Sequence, residues 1–587
     1  MLSCTPHRSL RAKRGRLVAG CLVACAGGMA MLLSGPWRND LIAPGPLSAH
    51  HAHLLGDSGA AARCAQCHAQ GSASFAEWAK LAATAAPPRT QTELCGACHD
   101  KTISPEFSLA AHSLPLEELT RSHATPTNRA REPIACSACH REHQGRNHNL
   151  SAIDNTACQA CHAERYESFA QDHPDFGVWP YERRTPIVFD HQSHASKHHP
   201  AAKRPFACTA CHDGDSTDES QLTRPYAESC AECHDRALTV SLDSGVPVLA
   251  LPTLELEAWE TRPAALEAWP SEADGDFDGA IPNLAKLLIA ASPEGAAALA
   301  TLGPTFEFFD VDPDHPEQLA AAAALAAELK GLVDELAERG EGAIARRLAA
   351  LLDRPLSPHE TAVLAANLSR DVAAAYRARW FSAAGTGDVA APQAPALGPG
   401  PGAGWSRHEA TLSLRFHPTG HADPWMTAWL DALAEAATGP RAAVAEPLLR
   451  AALKPTAPGG CGSCHSVERS ALGELTMQWR PRSPAERRSR LTHFAHGAHL
   501  VQAGLRDCTA CHRMAEPIAA AAPGYATDNP LQFVAGFAPL SKSACLPCHT
   551  PKSAGDACTQ CHRYHAGSAA GNAAAAARTA APLELVP

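Results

Sequence analysis

Cys64-Ala65-Gln66-Cys67-His68 is one of ten copies of a Cys-x-x-Cys-His pentapeptide, and the rest of the chain is arranged around their recurrence. In order they are Cys64/Cys67/His68, Cys95/Cys98/His99, Cys136/Cys139/His140, Cys158/Cys161/His162, Cys208/Cys211/His212, Cys230/Cys233/His234, Cys461/Cys464/His465, Cys508/Cys511/His512, Cys545/Cys548/His549 and Cys558/Cys561/His562. These pairs account for 20 of the 23 cysteines, and the other three, Cys4, Cys21 and Cys25, lie in the N-terminal segment.

Two thiols three positions apart can form thioethers to the two vinyl groups on one edge of a porphyrin, and the next residue then lies under the ring as an iron ligand. Each motif therefore reads as a c-type haem attachment site, and ten covalently bound haems c are expected. Zinc knuckles place no constraint on the residue after the second Cys, whereas all ten pairs here are followed by His. A disulfide framework would scatter cysteines and need no His at a fixed offset. The ten motif histidines, His68, His99, His140, His162, His212, His234, His465, His512, His549 and His562, are the expected proximal ligands.

Residues 1–16 carry Arg8, Arg11, Lys13, Arg14 and Arg16 without an acid, and an apolar run follows from Leu17 to Ser34. As a helix that run is roughly 27 Å long, near the lower limit for a membrane span. The basic flank stays cytoplasmic by the positive-inside rule, which exports everything after residue 35. The reading is an uncleaved signal anchor over residues 1–35; cleavage near Ala24-Cys25-Ala26 and lipidation at Cys21 or Cys25 are the alternatives. All three place the body in the periplasm, where covalent haem attachment takes place in bacteria. With 587 residues, 47 Pro, 40 Gly and 5% aromatic side chains, the chain is long but poor in ordinary core-formers, and haem can replace the missing bulk. A formal charge of −11 excludes nucleic acid as a natural partner.

Residues 45–240 carry six motifs, with motifs three and four, and again five and six, beginning 22 residues apart, as in a duplicated two-haem unit. Twelve histidines stand outside the motifs here, among them three in His50-His51-Ala52-His53 ahead of the first motif. His191 and His194, at i and i+3, would share one helix face, as would pairs within His493-Phe494-Ala495-His496-Gly497-Ala498-His499 ahead of motif eight. The candidates for the distal ligand position are His53, His112, His123, His143, His173, His191, His194, His496, His499 and His565.

Residues 245–455 contain no Cys and read as an Ala-rich, all-helical, haem-free insert. Helical periodicity covers Ile281 to Leu302, Pro316 to Arg339, Gly342 to Leu352 and Pro358 to Phe381, with a capping box at Ser357-Pro358-His359-Glu360. Residues 385–404 form a Gly/Pro/Ala linker, and Thr411 to Phe416 could make a short strand. His408, His417 and His421 near its end could serve motif seven. Residues 456–566 hold the last four motifs, nine and ten beginning 13 residues apart, and residues 567–587 are an Ala-rich tail expected to be disordered. Only His493, His496, His499 and His565 are spare in this block, four for four sites; if the three within seven residues do not all reach a site, at least one site must borrow His417 or His421, use Met477 or Met514, or stay five-coordinate.

The ten motifs, the Phe-x-His-x-x-His segment at Phe189 and the Gly45-Pro46-Leu47-Ser48 entry together resemble the cytochrome c3 family and the doubled CxxCH multihaem cytochromes. That resemblance covers residues 45–240 and 456–566. It implies bis-histidine, low-potential haems packed edge to edge and a role in periplasmic respiratory electron transfer. The expected fold is mostly α with much irregular structure: two multihaem blocks wrapped around haems, the helical insert between them, and an N-terminal transmembrane helix.

The expected function is thus a membrane-anchored periplasmic electron carrier rather than an enzyme. It would take electrons from a quinol-linked or cytochrome donor in the inner membrane and pass them to a periplasmic acceptor, running from the first six sites to the last four. A reductase of a small nitrogen or sulfur oxyanion is the alternative; the absence of any Cys-x-x-Cys-Lys counts against it.

Overall fold

The structure is a computed structural model that describes residues 9–35, 44–55, 61–71, 89–99, 135–162, 167–177, 185–214, 221–254, 279–303, 305–381, 404–470, 472–481, 492–515 and 536–562, with single positions between these stretches. His112, His123, His565, nearly all of the 385–404 linker and the 567–587 tail lie outside the described residues. The fold is mostly helical with few strands.

The chain forms two compact units: Met1–Asp175 with Arg488–Ala495 and Ser541–Pro587, and Phe176–Arg487 with His496–Leu540. The first holds motifs one to four, nine and ten, and the second holds motifs five to eight. Each unit thus draws motifs from both halves of the chain.

In the first unit, α1 (Leu10–Ser34) starts at Ser9, whose side chain accepts a hydrogen bond from the Ala12 amide. It has no buried residue, and by length and composition it can cross a membrane, a property that secretion signals share. Three short helices follow: α2 (Ala49–Leu55), α3 (Gln91–His99) and α4 (Asn155–His162).

The second unit is built on one apolar core. After α5 (Ala231–Leu242) come strand β1 (Val246–Ala250) and helices α6 (Asn283–Ile289), α7 (Pro293–Leu302), α8 (Pro316–Arg339), α9 (Glu341–Leu352), α10 (Pro358–Ala365) and α11 (Arg370–Trp380). Then follow β2 (Gly404–His408), β3 (Ser413–His417), α12 (Pro424–Ala436), α13 (Ala442–Ala452), β4 (Val467–Arg469), β5 (Leu475–Met477) and α14 (His496–Leu500). The periodic stretches are helical as read, with two breaks. Ser292 caps α7 and splits the first, and Ala366 and Asn367, both at positive φ, split the last ahead of the Ser369 cap. The Ser357/Glu360 capping box forms.

The Cys-free segment is not all helical, which corrects the reading from sequence. A three-stranded antiparallel sheet in the order β1-β3-β2 runs through it, pairing Val246 with Phe416 and Trp405 with Phe416. β1 and β3 lie more than 160 residues apart, so no local pattern announces the pair. The core also extends past the segment's ends, from Leu242 to Val467, Leu475 and Met477, with Cys461 of motif seven packed against it.

One buried ion cluster crosses this core. Glu335 accepts from Arg346 Nε (2.6 Å) and Arg347 Nε (2.8 Å), and Arg347 also donates to the Leu288 carbonyl (3.1 Å). Glu335 and Arg347 are each 8% exposed.

Candidate functional site

Every motif closes a helical turn. The His amide donates to the carbonyl of the first Cys at 2.8 Å in motifs one, three, seven and eight, and at 2.9–3.0 Å in motifs five, six, nine and ten; motifs two and four end α3 and α4. In such a turn residues i, i+3 and i+4 share one face, so both thiols and the imidazole present to the same side.

The two cysteines of a motif differ in burial. The first is half-buried in all ten motifs, whereas the second is exposed in six: Cys98, Cys139, Cys233, Cys464, Cys548 and Cys561. Cys67, Cys211 and Cys511 are half-buried, and the side chains of Cys161 and His162 lie outside the described residues. In six motifs the first Cys lies against another leading thiol: Cys95 meets Cys136, Cys158 meets Cys558 and Cys208 meets Cys508.

The motif imidazoles are met by other imidazoles from elsewhere in the chain. In the first unit ring centroids stand 6.1 Å apart for His68 and His143, 6.0 Å for His99 and His51, and 6.0 Å for His562 and His173. In the second they stand 6.1 Å apart for His212 and His191, 6.3 Å for His234 and His194, 6.1 Å for His465 and His421, and 6.3 Å for His512 and His496. Seven pairs therefore fall within 6.0–6.3 Å, each joining one motif His to one non-motif His.

That interval has a simple origin. A metal–imidazole bond of about 2 Å, with a further ~1 Å from nitrogen to ring centre, separates two rings on opposite sides of one ion by about 6 Å. Direct ring contact gives shorter values, as between His194 and His198 at 5.2 Å. Among the described residues no group of three or more His, Cys, Asp or Glu side chains converges on one point as an all-protein metal site would. Two opposed imidazoles beside two thiols instead suit a group that brings its own equatorial ligands.

Tautomers agree with this arrangement. The Nδ1 atoms of His140, His143, His173, His194, His465 and His549 lie 2.7–3.1 Å from the backbone carbonyls of Leu150, Gly45, Pro174, Asp190, Gln478 and Gly555. A carbonyl only accepts, so the proton sits on Nδ1 and the Nε2 lone pair is left for a metal. Burial pushes the pKa of His173, His194, His465 and His512 down, and burial and the opposing His143 do the same for His68; neutral rings result, as metal binding requires.

His51 is held differently. Its Nδ1 lies 2.5 Å from Glu142 Oε1, and Glu142 also accepts from the Ser48 amide (2.8 Å) and hydroxyl (2.7 Å). Burial pushes the Glu142 carboxyl up, but the donors at Ser48, His51 and His143 outweigh that and bring it down to about 2.

No family model, curated protein or solved structure matches the chain.

Of the imidazoles nominated from sequence, His143, His173, His191, His194 and His496 lie opposite a motif ring. His499 is one turn beyond His496 on α14. His51, rather than the exposed His53, faces His99; the two point to different sides of α2, and Glu142 fixes the choice. His421 faces His465, while His417 is buried and engages Ser406 Oγ at 2.7 Å. Met477 belongs to the core.

Neighbouring motifs are joined by thiols and aromatic rings. In the second unit the Cys208–Cys508 hydrogen bond links motifs five and eight, and Phe537 lies 4.6 Å from His191 and 5.9 Å from His512. Phe189 packs on both His191 (4.6 Å) and His194 (4.1 Å), between motifs five and six. Tyr226, next to motif six, stacks on His421 of motif seven at 3.7 Å and 6°. The order in space is eight, five, six, seven, which departs from chain order. In the first unit the Cys95–Cys136 and Cys158–Cys558 contacts join motif two to three and four to ten, while Phe169 touches both His173 (5.2 Å) and His549 (6.4 Å) of motifs ten and nine.

Proposed function

We propose that this chain is an electron-transfer protein holding haem c at its ten motifs. The seven His–His pairs at 6.0–6.3 Å carry the reading, since each sets an imidazole opposite a motif His at the spacing of two axial ligands of one iron. When bound, each haem supplies a one-electron ferric/ferrous couple. The chain's own residues would do the rest: the two cysteines of each motif would hold the group covalently, and at seven motifs the paired histidines would ligate its iron. Backbone carbonyls orient the rings, and Phe189, Phe537, Phe169 and Tyr226 fill the space between neighbouring sites.

At the seven paired sites a bound group would be held by an imidazole on each side, which favours transfer over catalysis there. A basic flank followed by an apolar α1 supports single-pass anchoring in a bacterial inner membrane with the motifs on the periplasmic side. The partners would be a quinol-linked or cytochrome donor in the membrane and a soluble periplasmic acceptor.

The test is a haem-to-protein ratio from the pyridine haemochrome together with low-temperature EPR of the oxidised protein. Ten haems with low-spin signals are expected. Far fewer than ten would overturn the reading of the motifs, and a stoichiometric high-spin signal would bring forward a reductase acting on a nitrogen or sulfur oxyanion.

A further inference from the structure

We propose that Glu142 strengthens His51 as a donor and so sets the reduction potential of site two below that of its neighbours. The inference rests on the haem reading above. Glu142 Oε1 is 2.5 Å from His51 Nδ1, and the His51 ring centre stands 6.0 Å from that of His99. A carboxylate accepts only, so the proton between them belongs to Nδ1 and Nε2 keeps its lone pair for a metal.

The carboxylate is held in place before any ligand binds. The amide and hydroxyl of Ser48, a residue with no exposed surface, donate to its two oxygens, and the His143 amide adds a longer contact at 3.4 Å. His143, His173 and His194 also give Nδ1 a fixed acceptor, but theirs are neutral carbonyls. A charged acceptor makes a bond roughly twice as strong and pulls the shared proton further from the ring, which raises imidazole basicity toward the metal. A stronger donor favours the ferric state, so the site's potential falls.

Placement makes the effect specific. Residues 140–143 serve three sites at once: His140 belongs to motif three, His143 faces His68 of motif one, and Glu142 bonds to the partner of motif two. A bare charge at Glu142 would act on all three, whereas the hydrogen bond acts on one.

The experiment is a potentiometric titration of the full haem-loaded protein, followed optically and by EPR, for wild type, Glu142→Gln, Glu142→Asp and Ser48→Ala. Glu142→Gln should raise one couple of the ten, increasing its ferrous-to-ferric ratio at fixed potential about tenfold, or roughly 59 mV for one electron. Haem content and low-spin signals should stay unchanged. Glu142→Asp, which keeps the charge, should return that couple toward wild type. Ser48→Ala should move the same couple the same way by less, and it remains informative if the Gln variant fails to mature. No shifted couple, three couples shifted together, or different couples moved by the Gln and Ala variants would overturn the inference while leaving the haem reading intact. A wild type without haem would overturn both.

Discussion

His417 and His421 are four residues apart, and the sequence leaves both open to motif seven, yet their surroundings predict opposite phenotypes. His421 stands 6.1 Å from His465, and Tyr226 lies flat against it at 3.7 Å. Replacing it with Ala removes one imidazole from one site in ten and one stacked aromatic pair worth about 0.5–1.5 kcal/mol. If haem sits at all ten motifs as proposed, one tenth of it should therefore turn high-spin in EPR, with a small loss of thermal stability. His417 is 3% exposed, its Nε2 engages Ser406 Oγ at 2.7 Å, and a side chain on Gly245 would press within 2.9 Å of its ring. His417→Ala leaves the Ser406 hydroxyl without its partner and opens a small cavity, so it should cost about 1–3 kcal/mol with no change of spin state. Low-temperature EPR and thermal denaturation of both variants decide the matter. A fully low-spin His421→Ala protein, or a high-spin signal from His417→Ala, would refute the assignment of His421 to site seven.

Two further outcomes follow from the core. Glu335→Gln removes the charge shared by Arg346 and Arg347 but leaves Arg347 the Leu288 carbonyl and, at 3.9 Å, Glu328, so it should cost about 1.5–3 kcal/mol by thermal or denaturant unfolding. Burial pushes the Glu335 carboxyl up, but Arg346 and Arg347 outweigh this and hold it below its ordinary 4.5. Its contribution is therefore complete above about pH 4.5 and is lost as pH falls through the lower folded value, so wild type and variant should converge in acid. Gly462→Ala puts a methyl 2.1 Å from the Leu453 carbonyl oxygen inside motif seven; backbone must move, and the variant should show reduced thermal stability with an altered signal from site seven alone.

What was legible from sequence is what depends on short spacings. The Cys-x-x-Cys-His turn is fixed by its own i, i+3 and i+4 geometry, and the His191/His194 pair by the same rule. The cap at Ser357 and the full span of α8 were readable because their signals sit within a few residues. The rest depends on contacts between distant segments. Which of His50, His51 and His53 faces a motif is decided by Glu142, some ninety residues later. Spacing alone does not show that Cys95 meets Cys136, some forty residues on. The β1–β3 pairing joins segments separated by the helices of the core, among them α8 and α11, and β1 reads locally as an irregular run interrupted by Pro247. The order eight, five, six, seven is invisible because thiol and ring contacts that cross hundreds of residues leave no periodic trace.

The second unit delivers its non-motif imidazoles by two routes, and the difference explains why an Ala-rich core sits among the Cys-x-x-Cys-His motifs. Sites five and six are served locally: His191 and His194 are one turn apart, Asp190 caps that turn, and Phe189 packs on both rings. Nothing beyond a few residues is needed to space them. Site seven has no such neighbour. Its imidazole comes from His421, just before α12, where Asp423 accepts from the Trp425 and Met426 amides, while Trp425 and Trp429 donate to the Leu364 carbonyl from inside the core. Motif seven is seated on the same core through Cys461, and His465 is oriented by the Gln478 carbonyl next to β5. Two segments that share no helix can hold rings 6.1 Å apart only if both are fixed to something rigid, and a close-packed interior supplies that rigidity. The core's contribution to site seven is therefore positional.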